Sequence, residues 1–319
     1  MIRLGFIGCG LMMQQHYERL ALIEDIAIVG HCDIELDAAR LAAETYGGEA
    51  YTEASVMFER CKPDAIFIAV PPFAHGAIEE EAIQRGIHLF IEKPIGLDIN
   101  QAKKISSLLR KSQVISSVGY CYRYAETVCQ AKQLLRGKAI CHISASWIGG
   151  IPSAAWWSLR NKSGGQLVEQ CTHLFDIIRF VSGEVAEVYA VATRGCVGCK
   201  DNYDLDDSSV VCLRMKNGAT AAIVSTCAVD HGHRVEIEFI TPNVTVRLNG
   251  TTLRVLESSK SYEYHCENDM FADESAAFIH AVATSNRKSI KSSYADALKT
   301  LNISLAANES INSGMPVKV

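Results

Sequence analysis

The chain has 319 residues, 48% of them apolar, and a formal net charge of −5, with a pI near 6.1. That length supports large cores and two domains more readily than one or three, and the acidic balance leaves no basic footprint, so nucleic acid is not expected as a partner. The longest apolar runs are strand length, short of the roughly 18 residues of a membrane span, and the first residues hold one arginine and glycines where a signal peptide needs a charged head and an apolar core. The expectation is a cytoplasmic protein without a membrane partner.

Residues 2–10, Ile-Arg-Leu-Gly-Phe-Ile-Gly8-Cys-Gly10, predict a short apolar strand running into a glycine turn, and the segment from Leu11 to Ile23 is helix-compatible. A dinucleotide site begins this way. Gly8 would allow the tight turn, and Gly10 would let a pyrophosphate approach the backbone amides of Leu11 and Met12 at the helix N-terminus. Met13 stands where a third glycine would serve close helix-on-strand packing.

A second apolar strand, Ile26 to Cys32, ends in Asp33, 23 residues beyond Gly10, close to the roughly 20-residue interval of a ribose-binding carboxylate. A carboxylate there repels a 2′-phosphate, so NAD is favoured over NADP, with Arg40 one helical turn further on keeping the question open. The lesser alternative for Asp33 is an N-cap of the helix Leu36 to Tyr46, and the two roles can coexist.

Ala65 to Val70 predicts a strand ending at Pro71-Pro72, Ala74 to Arg85 a helix that starts near His75, and Ile87 to Ile91 a strand. That strand stops on Glu92-Lys93-Pro94, where the proline pushes Lys93 towards extended geometry and sends its ammonium out in a restricted direction. Asp98 is a plausible N-cap for a helix from Asn100 to Lys111, and Val114 to Gly119 predicts the next strand, followed by Tyr120. Alternation of this kind means a doubly wound parallel sheet with helices on both faces, over residues 1–120. Ligands bind beyond the carboxyl ends of such strands, so Gly8, Asp33, Val70, Pro71, Lys93 and Tyr120 should gather along one edge.

After residue 120 the rhythm changes. A helix near Ala125 to Leu135, a strand Ile140 to Trp147 and a helix near Cys171 to Val181 precede strands at Val185 to Thr193, Ser209 to Met215, Thr220 to Cys227, Val235 to Ile240, Val244 to Leu248 and Leu253 to Leu256. Many alternate apolar and polar residues, and Lys216-Asn217-Gly218 and Asn249-Gly250 make tight turns, so a large, open, mainly antiparallel sheet is expected in an α+β domain over residues 121–319. Its polar face stays wet unless it meets a substrate, a helix or another subunit. Helices at Phe271 to Ala283 and Tyr294 to Ser310 close the chain, the last a candidate to pack back on the first domain.

Twelve cysteines are present, and Cys9, Cys32, Cys171, Cys212 and Cys227 sit singly inside apolar segments as small hydrophobes would. A reducing compartment fits them. Cys196-Val-Gly-Cys199 has the spacing of a zinc or redox pair but lacks a second Cys/His pair, so no metal is expected.

The stretch from Ser163 to Asp176 carries a second constellation. Glu169 and His173 are four apart and His173 and Asp176 three apart, so on one helix they would share a face, with a carboxylate to orient the imidazole. All three tryptophans, Trp147, Trp156 and Trp157, lie just upstream, where their faces suit either sugar C–H surfaces or core packing. Arg123, Tyr120, Trp157, Arg160 and Lys162 are candidate substrate contacts.

Together, Gly8-x-Gly10, Asp33, Pro71-Pro72-x-x-His75, Glu92-Lys93-Pro94, Gly119-Tyr120-x-x-Arg123 and Gly164-Gly165-x4-Glu169-x3-His173-x2-Asp176 resemble the Gfo/Idh/MocA oxidoreductases over nearly the whole chain. The resemblance implies an NAD(P)-binding Rossmann domain, a C-terminal domain for substrate and oligomer contacts, a sugar, inositol or related polyol as substrate, and a homodimer or homotetramer. It implies that Lys93 and His173 carry the proton chemistry, with Glu169 beside the substrate, Glu92 at the cofactor, and His75 near the nicotinamide side of the cleft. Relatives commonly have aspartate where this chain has Glu169.

The reaction so implied is reversible hydride transfer between a carbinol carbon and nicotinamide. Two other readings stay open: an NAD-dependent glycoside hydrolase on the same scaffold, and a non-catalytic NAD-binding regulator. The presence of Lys93 and His173 together argues against the regulator.

Overall fold

The computed structural model describes residues 1–198 and 202–319; the predicted Cys196-x-x-Cys199 pair therefore has one member, Cys199, outside the described residues. In chain order come β1 (Ile2–Ile7), α1 (Leu11–Leu20), β2 (Ile26–Cys32), α2 (Leu36–Tyr46), β3 (Glu49–Tyr51), α3 (Ala54–Cys61), β4 (Ala65–Ile68), α4 (Ala77–Gln84), β5 (His88–Ile91), α5 (Ile99–Arg110) and β6 (Ser116–Val118). They are followed by α6 (Glu126–Leu135), β7 (His142–Ile148), α7 (Arg160–Ser163), α8 (Gln166–Glu169), α9 (Thr172–Ser182), β8 (Val185–Thr193), β9 (Ser208–Met215), β10 (Thr220–Thr226), β11 (Arg234–Ile240), β12 (Val244–Asn249), β13 (Thr252–Glu257) and β14 (Ser261–His265). The chain ends with α10 (Met270–Thr284), α11 (Tyr294–Ser313) and β15 (Val317–Lys318). Two compact units result, Met1–Cys121 with Asp269–Leu298, and Tyr122–Asn268 with Lys299–Val319. The division differs from a single cut at residue 120, because the segment carrying α10 clusters with the N-terminal unit.

The first unit is a six-stranded sheet in the order β3-β2-β1-β4-β5-β6, parallel throughout. Covered on both faces, central strand β4 reads as an unbroken apolar run, and all four of its residues are fully buried. Phe67 stacks on Phe6 at 5.7 Å and on Phe90 at 4.7 Å, and Phe278 of α10 meets Phe67 and Phe90 edge-on. That aromatic contact seals one face of the sheet with a helix from far along the chain. The order reverses between β1 and β4, which makes the carboxyl ends there the natural ligand crevice. Asp98 caps α5 as its sequence predicts, accepting from the Asn100 and Gln101 amides. The sequence reading did not include β3 and α3: three residues are too few to show a period, and Glu53 before α3 makes no side-chain cap.

The second unit holds a nine-stranded sheet in the order β14-β13-β12-β11-β7-β10-β9-β8-β15. The β7–β10 pair is parallel and the other pairs are antiparallel. One face is core, with Ile143, Ala145, Val211, Leu213, Ala221 and Ile223 buried. On the other, Val191, Val210 and Val224 are exposed and adjacent across β8, β9 and β10. β14 escaped the sequence reading because all five of its residues are exposed, which removes the apolar alternation. Among the described residues no helix is long and apolar enough to cross a membrane.

Candidate active site

The dinucleotide turn forms where β1 ends. Gly8 takes φ +82°, and a Cβ there would stand 2.4 Å from the Ala69 carbonyl oxygen, so only glycine lets the turn pass β4. Gly10 is the N-cap of α1, and a Cβ on it would meet nothing within 4 Å. No side chain caps α1 and its first turn holds no acidic residue, which leaves the Leu11 and Met12 end of the helix suited to an anion. Met13, in place of a third glycine, is fully buried in the core.

Asp33 is pinned by backbone amides: its Oδ2 accepts from Cys9 N–H at 2.7 Å and its Oδ1 from Glu35 N–H at 2.9 Å. Each oxygen keeps a further lone pair for a ribose hydroxyl. The capping role considered for Asp33 is not its role, because Glu35 occupies the N-cap of α2. Arg40 is largely exposed and reaches Asp37 at 3.4 Å. These residues fit a dinucleotide: an uncapped helix end for the pyrophosphate, open space at Gly10, and a carboxylate for the ribose.

Further along the same edge, Glu92 is buried, its Oε1 accepting from His16 Nε2 at 2.8 Å and its Oε2 from the Lys93 amide at 3.2 Å. Lys93 thus leaves the carboxyl end of β5 from a backbone tied to a fixed carboxylate. The predicted helix from Ala74 is corrected: Pro72–Ala74 is a 3-10 turn, Gly76 at φ +118° breaks the path, and α4 starts at Ala77. His75 precedes that helix with its imidazole buried against Glu79. Burial alone would raise the Glu79 carboxyl, but the His75 charge and hydrogen bonds, with the Gly76 amide, hold it below the ordinary range. Tyr120 is buried, its amide donating to the Val118 carbonyl at 2.7 Å.

In the second unit the expected single helix over Glu169 and His173 is broken. Glu169 ends α8 and His173 lies in the first turn of α9, separated by Gln170 and Cys171, so the i,i+4 argument does not apply to them. His173 is instead held by rings, stacked on Trp147 at 5.9 Å and met edge-on by Tyr122 at 5.1 Å. Glu169 Oε2 accepts from the Trp157 indole N–H at 2.8 Å. Trp157 is fully buried among Leu205 and Cys227, with Trp156 partly buried beside it. Trp157 is therefore a buried donor to Glu169 rather than an exposed stacking platform.

Asp176 and Arg123 also depart from expectation. Both are buried and paired two-fold, Nε to Oδ2 at 2.7 Å and Nη2 to Oδ1 at 2.6 Å, and Thr300 donates to Oδ1 at 3.0 Å. Burial pushes the Asp176 carboxyl above its ordinary value, and Arg123, Arg179 and Thr300 pull it back. The pair binds α9 to the segment before α6. Arg123, expected at the substrate, is committed to Asp176 and to the Phe180 ring at 5.0 Å. Arg160 is partly exposed and bonded to Asp206 at 2.8 Å. Trp147 and Tyr122, which fix the imidazole plane, were not singled out for that role, because ring stacking across elements leaves no mark in local spacing.

The first unit offers a helix end for phosphate, a carboxylate for ribose and a lysine at a strand end; the second, taken by itself, offers a ring-clamped histidine. Comparison with known proteins agrees with both. Residues 2–120 match the oxidoreductase family with an NAD-binding Rossmann fold and residues 130–252 match the GFO/IDH/MocA C-terminal domain. The scyllo-inositol 2-dehydrogenase (NAD(+)) of Bacillus subtilis is 24% identical over 336 residues, covering 100% of this chain and 96% of that protein. The myo-inositol 2-dehydrogenase of Thermotoga maritima is 26% identical over 243 residues, 74% of this chain and 72% of that one. Levoglucosan dehydrogenase, solved with NADH and L-sorbose, shares the fold at a TM-score of 0.89 and 19% identity, over 100% of this chain and 98% of its own. With both halves matched in sequence and the dinucleotide turn in place, the chain belongs to the Gfo/Idh/MocA oxidoreductase family, enzymes with an NAD-binding Rossmann fold.

Proposed function

We propose that this enzyme moves a hydride between NAD and a carbinol carbon of an inositol, sugar or related polyol. The observation that carries the reading is Lys93 at the carboxyl end of β5, on the same sheet edge as the Gly8–Gly10 turn and Asp33. Names of relatives, inositol dehydrogenases of Bacillus and Thermotoga among them, support the substrate class. Asp33 favours NAD over NADP, since its carboxylate repels a 2′-phosphate. The cofactor-binding residues are Gly8, Gly10, Leu11, Met12, Asp33, Val70, Pro71, His75, Glu92 and Lys93.

A bound nicotinamide supplies the hydride acceptor or donor. As the C–H hydride leaves the carbinol, its hydroxyl proton leaves as well. Lys93 binds the reacting oxygen and takes or returns that proton, and His173 is the competing candidate for that proton transfer. Trp147 and Tyr122 hold the plane of the imidazole. Glu169, oriented by Trp157, accepts from a substrate hydroxyl, and Tyr120 and Arg160 are further contacts. Arg123 and Asp176 serve the scaffold rather than the substrate.

A second copy of the chain covers the exposed Val191–Val210–Val224 row, giving a homodimer or homotetramer; light scattering on the purified protein should return a multiple of the 34.9 kDa chain. The activity is tested with a polyol and aldose panel followed at the nicotinamide absorbance. Lys93→Ala should weaken NADH binding only modestly by fluorescence titration while losing turnover by ~10²–10⁴-fold. Near-normal kcat in that variant removes Lys93 from the chemistry, and product without absorbance change assigns a hydrolase instead.

A further inference from the structure

Glu274 of α10 is fully buried, and neither carboxyl oxygen has a hydrogen-bond partner. Leaving a bare carboxylate in that position costs several kcal/mol, so the group needs a compensating charge or a proton. Its neighbours are His16 of α1 and Glu92, and one potential donor or acceptor atom from each of the three lies within 4.8 Å of the others. His16 bridges Glu92 Oε1 at 2.8 Å and Ser275 Oγ at 3.2 Å. Gly119 closes the space: a Cβ there would stand 2.7 Å from Glu92 Oε1. The nearby cation, Arg19, is engaged with Asp269 at 2.8 Å and with the Phe271 ring.

We propose that Glu274 and His16 are positioning residues for Lys93, Glu274 acting as a neutral acid packed, with His16, around the Glu92 carboxylate on which the Lys93 backbone amide rests. The proposal builds on the role assigned to Lys93 above. Two carboxyl groups this close cannot both ionise in a closed space. Glu92 accepts from two donors, His16 and the Lys93 amide, whereas Glu274 accepts from none. Burial first, and then the Glu92 charge, push the Glu274 carboxyl well above the ordinary range, with Arg19 opposing. The proton therefore sits on Glu274. A metal ion fits less well: the 2.8 Å between His16 Nε2 and Glu92 Oε1 is hydrogen-bond spacing, shorter than the ~3.3 Å between two ligands each ~2.0 Å from a tetrahedral zinc.

Loosening that packing would let the Lys93 backbone shift, and a displacement of ~1 Å can cost ~10²-fold in rate. Glu274→Gln keeps the shape of the neutral acid; Glu274→Ala removes it. Infrared spectra at neutral pH should show a protonated-carboxyl C=O stretch in the wild type that is lost in Glu274→Gln. Exchange of the Lys93 amide hydrogen should be slow in wild type and Glu274→Gln and at least ~10-fold faster in Glu274→Ala, with folding cooperativity and NADH affinity retained. On a polyol substrate Glu274→Ala should lower kcat by ~10–10²-fold at near-constant KM, and Glu274→Gln should restore it to within ~3-fold.

An unchanged infrared band in Glu274→Gln overturns the proposal. So does unchanged Lys93 exchange in Glu274→Ala, or stoichiometric metal in the purified protein that Glu274→Gln releases. If Glu274→Ala does not fold, His16→Gln takes its place in the exchange measurement with the same expected acceleration. The infrared and exchange readouts need no substrate, so they decide this point even if the panel shows no dehydrogenase activity.

Discussion

The Trp147 indole lies parallel to the His173 imidazole, planes 10° apart and centres separated by 5.9 Å, and Tyr122 closes on the same imidazole edge-on. The ring plane, and with it the direction of both imidazole nitrogens, is therefore set by packing. Trp147→Phe preserves a flat partner and should keep kcat within ~3-fold, whereas Trp147→Leu should lower kcat by ~10-fold or more with little change in NADH affinity. Steady-state kinetics with parallel fluorescence titration checks this, and equal kcat in the two variants would show that the stack does not orient the histidine.

Asp33 holds the turn by accepting from two backbone amides, and in the proposed function it also accepts from the ribose. Replacing it with serine removes the carboxylate that repels a 2′-phosphate and also the acceptor of the Cys9 and Glu35 amides. Asp33→Ser should narrow or invert the NAD-over-NADP preference in kcat/KM. The lost amide bonds should lower stability by about 1–3 kcal/mol in urea titration.

Arg123 offers a separable structural test. Arg123→Met would leave the Asp176 carboxylate buried with only Thr300 and, at 4.0 Å, Arg179 beside it. Removing one partner of a buried ion pair costs about 3–5 kcal/mol. Arg123→Met should therefore fall in urea midpoint by a corresponding amount. A change confined to substrate KM, at wild-type stability, would instead return Arg123 to the substrate.

Glu184 gives a pH signature. Burial raises its carboxyl, but the bonds from Arg179 at 3.0 Å and Lys299 at 2.9 Å outweigh that and hold it at about 2, below the ordinary 4.5. A carboxyl depressed on folding stabilises above its unfolded value and loses that contribution as pH falls towards its folded one. The urea midpoint of the wild type should exceed that of Glu184→Gln above about pH 5, and the two should converge as the pH approaches 2. The effect is small because Glu184 is over a third exposed and solvent screens it. A gap that is constant with pH would rule the ion pair out as its source.

Much of the architecture was legible in the residues alone. Ala65-Ile-Phe-Ile68 and Leu89-Phe-Ile91 are apolar on both faces because parallel strands are covered twice, and Gly8 had to be glycine because no Cβ clears Ala69. These are local demands, satisfied or violated within a few residues, and so they mark the sequence directly. The alternating burial of β9 and β10 belongs to the same class.

Other features exist only once distant segments meet. His16, Glu92 and Glu274 come from two helices and the residue after β5, up to 258 positions apart, and nothing in the spacing of Glu274 along α10 announces that it shares a closed space with Glu92. The break between α8 and α9, which takes Glu169 away from the His173 helix and towards Trp157, runs against the i,i+4 pattern that its own spacing suggests. Arg123 read as a candidate substrate contact because nothing local reveals that a carboxylate 53 residues away is brought against it. Local pattern encodes periodicity and backbone freedom; the pairing of buried charges and the stacking of rings depend on which surfaces folding brings together, and that information lies in no single stretch of chain.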